Sequence, residues 1–201
     1  MRHQLFILML FVLAFSAKGQ EQTLFKGDIE RGGFGAPVVK FTAINQQSAL
    51  MLGGRGGWII NHSLALGGGG YAVVNEVNAP QGALPLEGPL DIEFSYGGFE
   101  LEYVIHPNSL WHYSLYTLLG GGAANYVKDE GPVAESNEQA GETDFMWVLE
   151  PAVCAELNVT KWFHLNGGVS YRIVSGVGQE KLKEGDFNGF TATLTFKFGN
   201  F

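Results

Sequence analysis

Between Phe190 and Phe198 every second residue is apolar: Phe190, Ala192, Leu194, Phe196 and Phe198 share one parity, and Thr191, Thr193, Thr195 and Lys197 the other. A period of two belongs to a β-strand, whose successive side chains point to opposite faces. An amphipathic helix, with apolar positions three and four residues apart, is excluded there. The same template recurs along the chain. It predicts eight strands at Phe34–Ile44, Ala49–Ile60, Leu64–Val74, Leu90–Ile105, Tyr113–Val127, Phe145–Val159, Phe163–Val174 and Asn188–Phe198. In the sixth, Phe145, Trp147, Leu149 and Val153 oppose Glu150, Ala152, Cys154 and Glu156. In the seventh, Leu165, Val169, Tyr171 and Ile173 oppose His164, Asn166, Ser170 and Arg172. In the fourth, the apolar parity changes from Ile92, Phe94 and Tyr96 to Phe99, Leu101 and Tyr103 across Gly97-Gly98, which predicts a β-bulge at the glycines.

The first residues bear on the compartment. Arg2 and His3 precede an apolar run from Leu5 to Ala17, too short for a membrane-spanning helix. A basic start, an apolar middle and small residues at Ala17 and Gly19 form the layout of a secretory leader. Residues 1–19 are expected to be removed, leaving 20–201 as one barrel domain. Cys154 is the single cysteine, so a disulfide-stapled secreted fold is excluded. The net charge is −8, and loss of the two leader cations takes it to about −10. With no basic run, a nucleic-acid partner is not expected.

The connections separate a soluble sheet from a spanning one. After a short first link near Gln46-Gln47, short turns near Asn61–Ser63, His106–Ser109 and Asn158–Lys161 alternate with long polar links at Asn75–Gly88, Lys128–Thr143 and Gly176–Asp186. Outer-membrane barrels alternate in this way, and only a closed sheet leaves no edge in lipid. The expected fold is all-β, an eight-stranded antiparallel up-and-down transmembrane β-barrel located in the cell outer membrane. Trp58, Trp111, Tyr113, Trp162 and Phe163 beside the short turns, and Tyr71, Tyr126 and Trp147 toward the long links, are expected to form two aromatic girdles.

Eight strands enclose a lumen just filled by side chains. Lys40, Arg55, Glu93, Glu100, Glu102, Glu150, Glu156, Arg172 and Lys197 are candidates for its lining. Charges removed from water need partners, so a lumenal charge network is expected, with Arg55, Glu93, Glu150, Glu156, Arg172 and Lys197 as its members. Glycine clusters at 53–57, 67–70 and 120–122 are expected to make room for large side chains opposite them.

The ending Phe190–Phe201, with alternating aromatics and a terminal phenylalanine, resembles the C-terminal strand signal of outer-membrane barrels. The resemblance implies recognition by the barrel-assembly machinery through Phe196, Phe198 and Phe201. Here Lys197 and Gly199 stand in step with the terminal Phe201, where that signal carries apolar residues. With the glycine-rich stretch Gly167-Gly168-Val169-Ser170-Tyr171-Arg172, the chain is similar to the glycine-rich outer-membrane β-barrel domain proteins of Bacteroidota type, and to the outer-membrane protein A/X-type eight-stranded barrels.

Chemistry is sparse. His112-Tyr113-Ser114 places a histidine and a serine on one strand face, an arrangement similar to the His-x-Ser pair of outer-membrane lipid A deacylases. A serine nucleophile also needs an oriented third group, and no further matching residues surround the pair. His3, His62, His106, His112 and His164 are dispersed, without helical metal-ligand spacing. The acidic link at 128–143 carries Asp129, Glu130, Glu135, Glu138 and Glu142, which could hold divalent cations weakly. No catalytic, cofactor or metal residue is assigned, and no enzyme activity. The expected function is that of an integral outer-membrane barrel with a filled lumen, structural or surface-interacting. It would be monomeric, with outer-membrane lipid and lipopolysaccharide as surroundings. The alternatives are an outer-membrane lipid-modifying enzyme and a soluble periplasmic barrel for a small apolar ligand.

Overall fold

The structure, a computed structural model, describes residues 30–83, 90–128, 139–178 and 182–201. The expected leader and most of the acidic link at 128–143 lie outside the described residues. Eight strands follow one another: β1 (Arg31–Ile44), β2 (Gln47–Ile60), β3 (Leu64–Val73), β4 (Leu90–Ile105), β5 (Trp111–Lys128), β6 (Gln139–Asn158), β7 (Phe163–Ser175) and β8 (Gly189–Asn200). A four-residue helix, α1 (Glu184–Phe187), precedes β8. Each strand pairs antiparallel with the next and β8 returns to β1, which closes the barrel. Asn45 and Gln46 both adopt positive φ, 47° and 61°, the geometry of a two-residue turn whose twist matches the flanking strands.

The topology puts the short turns after β2, β4 and β6 at one end, together with Glu30, the first described residue, and Phe201. The long links and the β1–β2 turn lie at the other. Along β6, Phe145, Trp147 and Val153 are exposed while Met146, Val148, Glu150 and Glu156 are buried. Period two thus sorts this strand into an outward apolar face and a lumenal face.

The lumen has two storeys. Toward the long links it is apolar and aromatic, with Ile44, Met51, Phe94, Tyr96, Leu118 and Val148 in one cluster. Phe187 of α1 enters this storey from above, its ring 4.9 Å from that of Phe94. Toward the short turns the filling is charged. This layering explains the parity change in β4. Ile92, Phe94 and Tyr96 face inward, whereas Phe99, Leu101 and Tyr103 face outward. The β4–β5 register runs unbroken through Gly97 and Gly98, so the expected bulge there is absent. The register shift lies instead between Ala124 and Tyr126, on the β5–β6 ladder. Tyr71 and Tyr126 also point inward, at 3% and 0% exposure, and do not belong to a girdle.

Two ladders are interrupted at prolines. On β1–β8 the paired residues step from Gly35–Phe198 to Val38–Thr195 and skip Pro37. On β6–β7 they step from Leu149–Ile173 to Ala152–Ser170 and skip Pro151. Proline has no N–H to donate, so it is tolerated only where the ladder does not ask for one.

Gly69 shows what the glycines provide. A Cβ built there would lie 2.4 Å from Glu100 Oε1 and 2.8 Å from the Tyr71 hydroxyl, which itself donates to Glu100 at 2.7 Å. The space that a methyl group would take holds a buried hydrogen bond. Gly69→Ala should therefore destabilise the barrel by about 1–3 kcal/mol. Gly35→Ala, where a Cβ meets nothing within 4 Å, should be close to neutral. Urea titration of the two variants in the same detergent compares them.

Candidate functional site: the lumenal charge network

Inward-pointing side chains of a narrow closed barrel reach one another across its interior, so polar residues from both neighbouring and non-adjacent strands meet as layers. The layer nearest the apolar storey is centred on Glu150. Lys40 Nζ donates to both of its oxygens at 2.9 Å and also to the Tyr96 hydroxyl at 2.9 Å. Tyr96 and Ser170 each donate a hydroxyl to Glu150 at 2.5 Å. Lys40 and Glu150 are both fully buried, and the Lys40 ammonium sits 3.6 Å from the centre of the Tyr71 ring. With four donor contacts the carboxylate is satisfied without water.

The next layer joins β2 to β4. Arg55 Nη2 donates to Glu102 at 3.0 Å. Arg55 Nε lies 2.6 Å from Glu100 Oε2, a charge contact without hydrogen-bond alignment. The guanidinium lies 4.5 Å from the Tyr116 ring centre. The last layer is centred on Lys197, which bridges Glu102 at 2.8 Å and Glu156 at 2.5 Å. Glu156 also accepts from Asn166 Nδ2 at 3.0 Å, and its Oε1 faces His164 Nδ1 at 2.8 Å and His112 Nε2 at 3.3 Å.

Arg55, Glu156 and Lys197 thus meet in the lumen through Glu102, and Glu150 pairs with Lys40 in the layer above them. Two of the expected members differ. Glu93 lies on the outward parity of β4, exposed, where it accepts from Asn125 Nδ2 at 3.0 Å. It is excluded from the lumen because its neighbours Ile92 and Phe94 fill the apolar storey. Arg172 is fully buried but is held by backbone oxygens: it donates to Phe187 O at 2.7 Å and Ala43 O at 3.2 Å. It also lies over the Phe94 ring, 5.2 Å from its centre. In this way it locks α1 onto the barrel instead of joining a carboxylate.

Among the described residues the buried lumen carries four cations (Lys40, Arg55, Arg172, Lys197) and four carboxylates (Glu100, Glu102, Glu150, Glu156). Formal charge balances overall but not locally. Lys40 and Arg172 against Glu150 leave one positive charge toward the long links. Arg55 and Lys197 against Glu100, Glu102 and Glu156 leave one negative charge toward the short turns.

His112 and Ser114 share a strand face, and that face is lumenal. Ser114 Oγ is fully buried without a hydrogen-bond partner, and His112 turns to Glu156 and the Ser109 carbonyl. A hydroxyl so enclosed does not meet an acyl chain outside the barrel. Of the C-terminal aromatics, Phe198 points outward and stacks on Phe163 at 5.0 Å, and Phe196 is half-buried on the same face. Phe201 instead lies at the lumen mouth, its ring 3.6 Å from that of His164.

The fold and its filling define a small closed antiparallel barrel with a plugged interior. Neisserial surface protein A has the same fold: TM-score 0.54 at 15% identity, over 87% of this chain and 99% of that one. The N-terminal β-barrel domain of Pseudomonas aeruginosa OprF aligns over 83% of this chain and 96% of its own, at TM-score 0.45 and 11% identity. Ail, the attachment invasion locus protein of Yersinia pestis, aligns over 84% and 97%, at TM-score 0.44 and 12% identity. No family model matches the sequence, and no curated protein matches it.

Proposed function

We propose that the chain is an integral outer-membrane barrel with a structural or surface-interaction role and a lumen closed to bulk flow. One observation carries this reading: the polarity of the molecule is inverted. Four cations and four carboxylates are buried in the lumen beside its apolar storey, while Trp58, Trp111, Phe145, Trp147, Leu119 and Phe190 stand 58–78% exposed on the outside. A water-soluble chain seldom shows a contiguous apolar patch beyond a few hundred Å², whereas a barrel in lipid requires an apolar band with aromatic rims. Trp58, Trp111, Tyr113 and Trp162 mark the rim beside the short turns, and Phe145, Trp147 and Phe190 the one toward the long links. The finer reading is a glycine-rich barrel of Bacteroidota type, monomeric, folded through the barrel-assembly machinery and bordered by lipopolysaccharide.

Fractionation of cell envelopes tests it. The protein should leave the envelope only with detergent and migrate faster on a gel before boiling than after. A monodisperse species in detergent-free buffer would overturn the reading.

A further inference from the structure

His112, Glu156 and His164 come from β5, β6 and β7, and their ligand atoms all lie within 4.8 Å of one another. His112 is directly opposite Glu156 in the β5–β6 register, and His164 lies one inward position along from Asn166, the partner of Glu156 on β7. Three lumenal side chains on three successive strands thus converge on one point. Glu156 Oε1 faces both imidazoles, at 3.3 and 2.8 Å. Ligands at 2.0–2.1 Å around a tetrahedral zinc stand about 3.3 Å from each other, and the two Glu156–imidazole distances lie within about half an ångström of that spacing.

The hydrogen bonds around the trio orient it for a cation. His112 Nδ1 faces the Ser109 carbonyl oxygen at 3.3 Å, and that oxygen can only accept. Nδ1 therefore carries the hydrogen, and Nε2 of the neutral ring presents a lone pair to a carboxylate oxygen. A divalent cation bound between that lone pair and the carboxylate oxygen satisfies both groups. A ligating histidine whose other ring nitrogen is held by a carbonyl is the usual outer shell of a metal site. Lys197 and Asn166 bind Glu156 Oε2 and leave Oε1 free to ligate. The uncompensated negative charge of this half of the lumen acts in the same direction. A cavity of about 590 Å³, lined by Pro107, Asn108 and Phe201 as well as the trio, opens the site toward the short turns. It leaves room for a water or other ligand at the fourth position.

The geometry points to a site for a first-row divalent transition metal, zinc being the natural probe, held by His112 Nε2, His164 Nδ1 and Glu156 Oε1 inside the short-turn mouth of the barrel.

Titration calorimetry of zinc into the chelator-treated, folded full-length chain in detergent tests it. One zinc per chain is expected. His112→Ala and His164→Ala should each weaken binding at least about tenfold, and His106→Asn, on the exposed turn, should leave it unchanged. Absence of zinc binding to the folded wild type overturns the site, as does unaltered affinity in the His112→Ala/His164→Ala double variant. If the alanine variants lose the heat-dependent gel shift of a folded barrel, imidazole-nitrogen NMR of the wild type decides. Zinc-induced shifts at His112 and His164 support the site, and shifts confined to His62 and His106 overturn it.

Discussion

Lys40→Ala should destabilise the folded barrel by about 3–5 kcal/mol, because it leaves Glu150 charged and buried without its counter-ion. Both side chains are fully buried and 2.9 Å apart, and a water entering the space cannot replace the charge of the lost ammonium. The double replacement Lys40→Met/Glu150→Leu, similar in volume and uncharged, should recover much of that loss. A remainder of about 1–3 kcal/mol is expected from the Tyr96 and Ser170 hydroxyls, which lose their common acceptor. Urea-dependent folding into phospholipid vesicles, scored by the gel shift on boiling, supplies the four corners of the cycle. Strictly additive single effects would show that the pair does not act as a unit.

Leu119→Arg should cost about 2–4 kcal/mol in vesicles. Leu119 is 58% exposed and lies midway along β5, flanked by Phe99 on β4 and Leu149 on β6. An arginine there faces the centre of the apolar band. Tyr113→Arg on the same strand, near the short-turn rim, should cost only about 0–1 kcal/mol, because the guanidinium reaches water. The difference between the two depths measures the lipid environment directly. Equal costs at both positions would contradict a membrane-embedded belt.

The strands were legible in the sequence because period two is local: Phe190–Phe198 and Phe145–Leu157 declare the element and its two faces. Period alone does not say which face is inside. In β4, an apolar parity facing lipid along the whole strand requires a bulge at Gly97-Gly98 and sends Glu93 inward. A lumen that is apolar at one end and charged at the other produces the same pattern with no bulge. Tyr71 and Tyr126 were misplaced for the same reason, since an aromatic near a strand end suits either a girdle or a filled lumen. The ion-pair members Arg55, Glu150, Glu156 and Lys197 were legible as charges on apolar-flanked strands. Their partners were not, because closure of the barrel brings together across the lumen residues as remote as Lys40 on β1 and Glu150 on β6. Convergence of His112 and His164 on Glu156 was equally hidden, since metal motifs are read from spacing along one element and this trio spans three.

The prolines divide the cylinder unequally. β7 and β8 form one hairpin, and each outer edge of that hairpin meets the rest of the wall along a ladder skipped at a proline, Pro151 on one side and Pro37 on the other. A closed sheet has no free margin, but at each skip the ladder lacks two successive pairs, at Ala36-Pro37 on one side and at Glu150-Pro151 on the other. Lumenal side chains tie the wall where the backbone does not: Lys40 on β1 reaches Glu150 on β6 across the interior, and Ser170 on β7 donates to the same carboxylate. Amide exchange should therefore be faster beside the two skips than along the β4–β5 ladder, whose pairs run without a break.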